Sequence, residues 1–219
     1  MTSDSRTSEP KVVGVSLANA ATAWDSRFQS AEYIFGTEPN AYLKRHASRW
    51  PPGKRVLCVA DGEGRNSVWL ARQGMKVDAF DISEVGIEKA KKLAETHDVS
   101  IDFSVRDCDS WPWHEDSYDG VVAIFVQFAD PAMRERLFFN IVKCLKPGGI
   151  LVLQGYTPQQ LVYKTGGPSI ASHLYTEAML LDAFAQMEIL DLIAYEDELN
   201  EGSQHFGYSA LIGLTARKL

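Results

Sequence analysis

The sequence predicts an α/β domain: a doubly wound, mostly parallel sheet with a C-terminal antiparallel hairpin at one edge. Three observations predict it. From Lys54 onward, short apolar runs alternate with amphipathic stretches of helical period. In "VLCVADGEGRNSVWLA" (56–71), a glycine-bearing loop joins the first apolar run directly to a helical pattern. Near the end, "EILDLIAYEDEL" and "FGYSALIGLTARK" are separated only by "NEGSQH", which is too short for a crossover helix.

The N-terminus "MTSDSRTSEPK" is polar and is expected to be mobile over its first dozen residues. "ATAWDSRFQSAEYIFGTEP" follows, aromatic-rich and irregular, and "NAYLKRHASRW" reads as a helix stopped by Pro51 and Pro52. "KRVLCVA" is the first strand, and "GRNSVWLARQG" a helix closed by Gly74. "KVDAFDI" is the second strand. "SEVGIEKAKKLAETHD" is a helix with Ser83 placed as its N-cap. "SIDFSVRD" and "YDGVVAIFVQF" are the third and fourth strands. In "DPAMRERLFFNIVKCLKPGG", Asp130 is the N-cap, Pro131 the first helical residue, and a glycine pair follows the end. "ILVLQGYT" is the fifth strand and "TEAMLLDAFAQM" the last helix. Right-handed crossovers turn this order into a Rossmann-like sheet.

Composition narrows the function classes. The 219 residues carry a formal net charge of -7, which repels a phosphate backbone and disfavours a nucleic-acid partner. Cys58, Cys108 and Cys144 form no pair with metal-ligand or disulfide-framework spacing, so reduced thiols and a cytoplasmic location are expected. No apolar run approaches membrane-spanning length, so no membrane partner is expected. The five histidines (46, 97, 114, 173 and 205) join no convincing metal-ligand cluster. Oligomeric state is left open.

The glycine loop marks the ligand site, because open parallel sheets bind ligands beyond the carboxyl ends of their strands. Gly62 and Gly64 permit close approach, and the next helix offers free N–H groups and a partial positive charge. A dinucleotide fingerprint needs a third glycine where Ser67 stands, and a phosphate-binding P-loop needs a Gly-Lys-Ser/Thr that is absent. Asp81 ends the second strand about twenty residues on, where a carboxylate can accept from both hydroxyls of a ribose. Asp107 and Cys108 end the third, where an acid can accept from an adenine amino group. A lone acid at a strand end is more often a turn former; three strand ends in register favour a nucleoside site.

From about Lys54 to Thr157 the chain resembles the class I S-adenosylmethionine-dependent methyltransferases, through "VLCVADGEG", "VDAFDIS", "SVRDCDSWPW", "DGVVAIF" and "LKPGGILVL". "WDSRF…YIFGTEPNAYL", "GGPS…LYTEAML" and "ELNEGSQHFGYSALIGLTARK" resemble a bacterial subgroup near the tellurite-resistance and thiopurine-type enzymes. The resemblance implies one methyltransferase domain over 1–219, with a lid and helix region at 13–50 and a core at 54–219. It implies that the Asp61–Gly64 loop, with Ala60 and Asn66 flanking, cradles the methionine part of S-adenosylmethionine. Asp81 would hold the ribose, Ile82 the adenine face, and Asp107 with Cys108 the adenine edge. The family usually carries an acid at the position of Cys58 and a glycine at that of Ala60; Asp61 is the expected substitute for the missing acid.

Methyl transfer requires alignment and exclusion of water, and a base only if the nucleophile arrives protonated. "IFVQFAD" puts Gln127 or Phe128 near the transferred methyl, with Gln127 the catalytic candidate. Trp24, Phe28 and Tyr33 are candidates for a lid over the sulfonium, Tyr33 also for a catalytic part; ordinary packing is the competing expectation. Tyr156, His173 and His205 are weaker candidates. No Asn/Asp-Pro-Pro-aromatic tetrapeptide of base-amino methyltransferases is present, so a small-molecule acceptor is expected, with a thiol or a tellurium or selenium oxyanion implied by the resemblance alone. The rivals are an NAD-dependent oxidoreductase, and a non-catalytic module that binds S-adenosylmethionine without turnover.

Overall fold

The computed structural model describes residues 17–219; the N-terminal dozen, and residues 13–16 of the expected lid region, lie outside the described residues. Seven strands form one sheet: β1 (Arg55–Val59), β2 (Lys76–Asp81), β3 (Asp102–Val105), β4 (Tyr118–Ile124), β5 (Leu145–Tyr156), β6 (Met187–Glu201) and β7 (His205–Lys218). Their order is β3-β2-β1-β4-β5-β7-β6. The first five run parallel, and β7 pairs antiparallel with both β5 and β6. The predicted mixed sheet with its C-terminal edge hairpin is thus the observed fold.

Seven helices accompany it: α1 (Leu17–Phe28), α2 (Ala41–His46), α3 (Arg65–Arg72), α4 (Glu84–Thr96), α5 (Pro131–Cys144), α6 (Gln160–Tyr163) and α7 (Glu177–Ala183). The predicted caps are present: the Ser83 side chain accepts from Gly86 N–H, and that of Asp130 from Met133 N–H with Pro131 following. One expectation fails at the start. The stretch expected to be irregular is helical as far as Phe28, because "LANAATA" supplies good helix formers and no breaker. No loop follows α5 either, since β5 begins at Leu145 and passes through the glycine pair.

Period-two alternation sorts each central strand onto two cores. Leu57, Val59, Val121, Ala123, Leu151 and Leu153 pack on one face with Leu137 and Ile141 of α5. Val56, Cys58, Val122, Ile124, Ile150 and Val152 pack on the other with Leu70 of α3 and with Tyr42 and Leu43 of α2. Helices change face where the strand order reverses, between β1 and β4, and this opens a crevice at the carboxyl ends of those strands.

The hairpin overshoots the sheet. Tyr156, the last residue of β5, pairs with Leu211, so residues 205–210 of β7 and their β6 partners run on past the carboxyl edge. At about 3.4 Å per residue, the hairpin tip reaches roughly 20 Å over that edge.

Candidate active site

The floor of the crevice is the glycine loop. β1 ends at Val59, Ala60 takes φ 48°, and Gly62 and Gly64 take φ 61° and 89°. Gly64 has a second constraint: a Cβ there would stand 2.7 Å from the Ala90 Cβ, so loop and α4 meet only through glycine. The Asp61 N–H donates to Phe80 O at 3.0 Å, which fastens the loop to β2. The Asp61 carboxylate accepts from the Ser67 hydroxyl in the first turn of α3.

Asp81, at the tip of β2, is 6% exposed. Its Oδ2 accepts Gly62 N–H and its Oδ1 accepts Ser83 N–H, both at 2.9 Å. Each oxygen retains acceptor capacity. Burial pushes the Asp81 carboxyl up to about 6, against the lowering effect of these N–H donors. Burial, with the Asp81 charge adding to it, pushes Asp61 up to about 7. Neither acid makes an ion pair among the described residues. Two acids in this condition, beside a glycine loop, form a site suited to a cation and to hydroxyl donors.

Helix α1 covers the loop. The Phe28 ring is buried, lies 3.4 Å from where a Gly62 Cβ would be, and packs on Gly86 of α4. Trp24 stacks on Phe28 with centroids 5.5 Å apart. Asp25 Oδ1 accepts from the Ser83 hydroxyl at 2.5 Å and from Val85 N–H at 3.2 Å, where the α4 dipole favours an anion. Lys89 donates to the carbonyls of Phe28, Ser30 and Glu32 and pairs with Glu63 Oε1 at 2.5 Å. The turn after α1 is thereby clamped to α4 and to the glycine loop.

The hairpin tip covers the other side. Glu201 Oε2 pairs with Arg65, the first residue of α3, at 2.8 Å, and Gln204 N–H donates to Ile34 O. Burial raises the Glu201 carboxyl, but His205 at 3.8 Å and the Arg65 charge outweigh it and hold the group at about 2. His205 meets Phe35 at 4.6 Å and Phe125 at 4.3 Å between centroids, and Phe125 stacks on Tyr156 at 4.7 Å. Glu63, Arg65, Phe35, Phe125 and Glu201 all lie within the quoted segments "VLCVADGEGRNSVWLA", "YIFGTEPNAYL", "IFVQFAD" and "ELNEGSQHFGYSALIGLTARK", but no residue pattern there assigns any of them a role.

Three assigned roles change. Gln127 is buried with both amide N–H groups engaged: Nε2 donates to Tyr156 O and His173 O, and Oε1 accepts Tyr156 N–H. It ties β4 to β5 and to the 171–173 turn, with no donor left for a substrate. Tyr33 donates its hydroxyl to Lys89 O and packs with Val68, Leu93 and Ala94, so it is a packing residue on the helix layer. Asn66 gives its side-chain oxygen to Asn40 N–H and so anchors the start of α2.

The remaining candidates stay near the crevice. Asp107 uses Oδ1 for the N–H groups of Asp109 and Ser110 and Oδ2 for the Ser110 hydroxyl, as a turn former does. Oδ2 keeps acceptor capacity. Cys108 is buried beside Phe80 and Trp113, and Ile82 is half-buried between Asp81 and Ser83. Cys58 is buried in the α3-side core, and burial raises its thiol well above the usual value, so it supplies no anion. His173 Nδ1 faces Gln127 O at 2.9 Å. No cluster of three or more possible metal ligands occurs among the described residues.

Residues 56–149 match the family model described as a methyltransferase domain. Over that stretch, a little under half of its length, the chain is similar to a methyltransferase domain. The ubiquinone/menaquinone biosynthesis C-methyltransferase UbiE of Geobacter sulfurreducens is 29% identical over 122 residues, covering 53% of this chain and 47% of the relative. The chain spans about half the length of the curated relatives it matches. Among solved structures, a protein studied for the conversion of a disulfide bond into a thioacetal group during echinomycin biosynthesis superposes with a TM-score of 0.74. It shares 14% identity and covers 91% of this chain and 92% of its own. TehB from Haemophilus influenzae superposes at 0.67 with 17% identity, covering 91% of this chain and 67% of its own. At these identities the two structures share the methyltransferase fold. No helix among the described residues is long and apolar enough to cross a membrane.

Proposed function

We propose that the protein transfers a methyl group from S-adenosylmethionine to a small-molecule acceptor. One observation carries the reading: buried Asp81 and half-buried Asp61 stand beside the Gly62–Gly64 loop, both raised by desolvation and without an ion-pair partner. S-adenosylmethionine brings what such a site lacks, an ammonium, a sulfonium and two ribose hydroxyls. When bound it supplies an activated methyl. Asp81 accepts from the ribose, and Ile82, Asp107 and Cys108 border the adenine. The Ala60–Gly64 loop lets the methionine part approach the backbone. Trp24 and Phe28 exclude water from the sulfonium, which makes alignment effective.

The finer assignment is to the tellurite-resistance and thiopurine-type subgroup, with a thiol or a tellurium or selenium oxyanion as acceptor. It is supported by the flanking segments 24–43 and 166–180 and by the hairpin sequence, and the fold likeness to TehB accords with it. A cytoplasmic setting accords with three free, buried cysteines.

Calorimetric titration with S-adenosylhomocysteine, with NAD in parallel, tests the reading. Saturable binding of S-adenosylhomocysteine alone is expected. Binding of NAD alone overturns it, and S-adenosylhomocysteine binding without methyl transfer across a broad acceptor panel leaves a binding module.

A further inference from the structure

We propose that Asp25 is a positioning residue for the methyl donor: through Ser83 it sets the carboxylate of Asp81, and it thereby couples the docking of helix α1 to occupancy of the nucleoside site. The proposal rests on the methyl-transfer reading above, which makes Asp81 the acceptor of the ribose hydroxyls.

A chain of hydrogen bonds runs from α1 to β2. Ser83 is fully buried and is gripped from two sides. Its hydroxyl donates to Asp25 Oδ1 at 2.5 Å, and its N–H donates to Asp81 Oδ1 at 2.9 Å. The same Asp25 oxygen accepts Val85 N–H, in the first turn of α4, at 3.2 Å. Two carboxylates on different elements therefore hold one residue between them. Burial is the main reason why the Asp81 carboxyl stands at about 6, and the nearby Asp25 charge adds to it.

The other oxygen of Asp81 meets α1 by a second route. Asp81 Oδ2 accepts Gly62 N–H, and the Phe28 ring lies on Gly62. Phe28 follows Asp25 by three residues, so both face the same side of α1. A Cβ on Gly62 would stand 3.4 Å from that ring, and one on Gly86 of α4 3.1 Å from it. Helix α1 thus bears on both segments that the Asp81 oxygens hold, Ser83 through Asp25 and Gly62 through Phe28. A shift of α1 moves both N–H groups, and with them the lone pairs left for a ribose. Hydroxyls donating to Asp81 fix the same carboxylate and so favour the docked helix, because coupling between two sites is reciprocal.

Capping of α4 does not account for Asp25. Ser83 Oγ already accepts Gly86 N–H at 3.0 Å, and Glu84 supplies an acid to the first turn. Asp25 instead adds a negative charge beside Asp81, which costs like-charge repulsion. In return the charge gives Ser83 a strong acceptor, since hydrogen bonds to an ionised group are shorter and stronger than neutral ones. That bond is the tether between the covering helix and the ribose acid.

The test uses the full chain, with calorimetric titration of S-adenosylhomocysteine and hydrogen exchange of residues 17–28 with and without that ligand. In wild type, saturating ligand should slow exchange across 17–28 by at least about tenfold, within the usual range of coupling between sites. In Asp25→Ala the slowing should shrink to about twofold or less, and affinity should fall about 5- to 150-fold. In an Asp81→Asn background, Asp25→Ala should weaken binding by no more than about a further twofold, because its effect runs through that carboxylate. An affinity for Asp25→Ala within twofold of wild type overturns the proposal. So does faster exchange that is the same with and without ligand, since a packing role alone produces it. Losses that add in the double variant also overturn it, because they place the effect of Asp25 elsewhere than on Asp81. In each of these cases binding to wild type leaves the cofactor reading standing, whereas failure of wild type to bind S-adenosylhomocysteine removes that reading itself. If Asp25→Ala does not fold, Asp25→Asn keeps an oxygen acceptor for Ser83 and loses only the charge. Its affinity should fall about fivefold, the difference between a charged and a neutral acceptor, and an unchanged affinity overturns the proposal.

Discussion

Asp81 Oδ2 accepts the Gly62 N–H at 2.9 Å, so the tip of β2 holds the loop that follows β1. The other oxygen holds Ser83 N–H at the entry to α4. One carboxylate thus fixes the two backbone segments between which a nucleoside would lie. Asp81→Asn keeps the shape and removes the charge. S-adenosylhomocysteine affinity should fall about 10- to 150-fold, since hydrogen bonds to a charged group contribute about 1.5–3 kcal/mol. Calorimetry reads this directly, and an affinity within twofold of wild type removes the ribose role.

The same carboxyl makes stability depend on pH. Its folded value of about 6 lies above the ordinary 3.8, so between these values the folded state binds more protons than the unfolded state, and stability falls as pH rises. Glu201 and Asp119, both held at about 2, have the opposite sign, and theirs is felt below about pH 4.5. His46 and His205, both lowered, act against the trend near pH 6, so the comparison is made against Asp81→Asn. In ligand-free protein, stability relative to the variant should fall by about 1 kcal/mol between pH 5 and pH 7.5. A difference that does not change with pH in urea titrations contradicts the assignment.

Lys89 and Glu63 form a buried pair that holds the turn after α1. Lys89→Met leaves Glu63 buried without its cation, which is expected to destabilise by about 3–5 kcal/mol. Glu63→Gln in the same chain should recover part of that loss, because the uncompensated charge is then gone. Denaturant unfolding of the double-mutant cycle measures the coupling, and simple additivity shows that the pair is not coupled.

Gln127 separates a structural part from a catalytic one. Gln127→Leu removes the partner of Tyr156 N–H and of His173 O, while Tyr156 O keeps the Tyr175 N–H. A loss of about 1–3 kcal/mol in stability is expected, with kcat within about threefold at temperatures where the variant is folded. A large fall in kcat in fully folded protein restores the catalytic assignment.

Gly64→Ala meets two obstacles at once, φ 89° and an Ala90 Cβ at 2.7 Å. A destabilisation of about 1–3 kcal/mol from overpacking, with added backbone strain, is expected in thermal melts. Wild-type stability shows that α4 moves freely away from the loop.

The central sheet and its caps were legible because they rest on short-range signals. Ser83 caps α4 as the local pattern predicts, and Asp130 and Pro131 open α5. The place of Asp81 at the tip of β2 was legible for a similar reason: a fixed distance from a glycine loop to the next strand end follows from one strand–helix–strand unit. Gln127 and Tyr33 were misassigned because nearness in sequence to a strand end does not say where a side chain points. Gln127 turns back onto β5, and Tyr33 faces the helix layer.

The sequence by itself determined the strand and helix order, the antiparallel C-terminal pair and the acids at the strand ends, since all depend on periodicity and on neighbours a few residues apart. Only the tertiary structure decided that Phe28 lies on Gly62, that Glu201 meets Arg65, and that His205 packs on Phe125. Those contacts join segments far apart in the chain. They exist because α1 docks on α4 and because the hairpin outruns β5, and both follow from packing across the whole sheet edge.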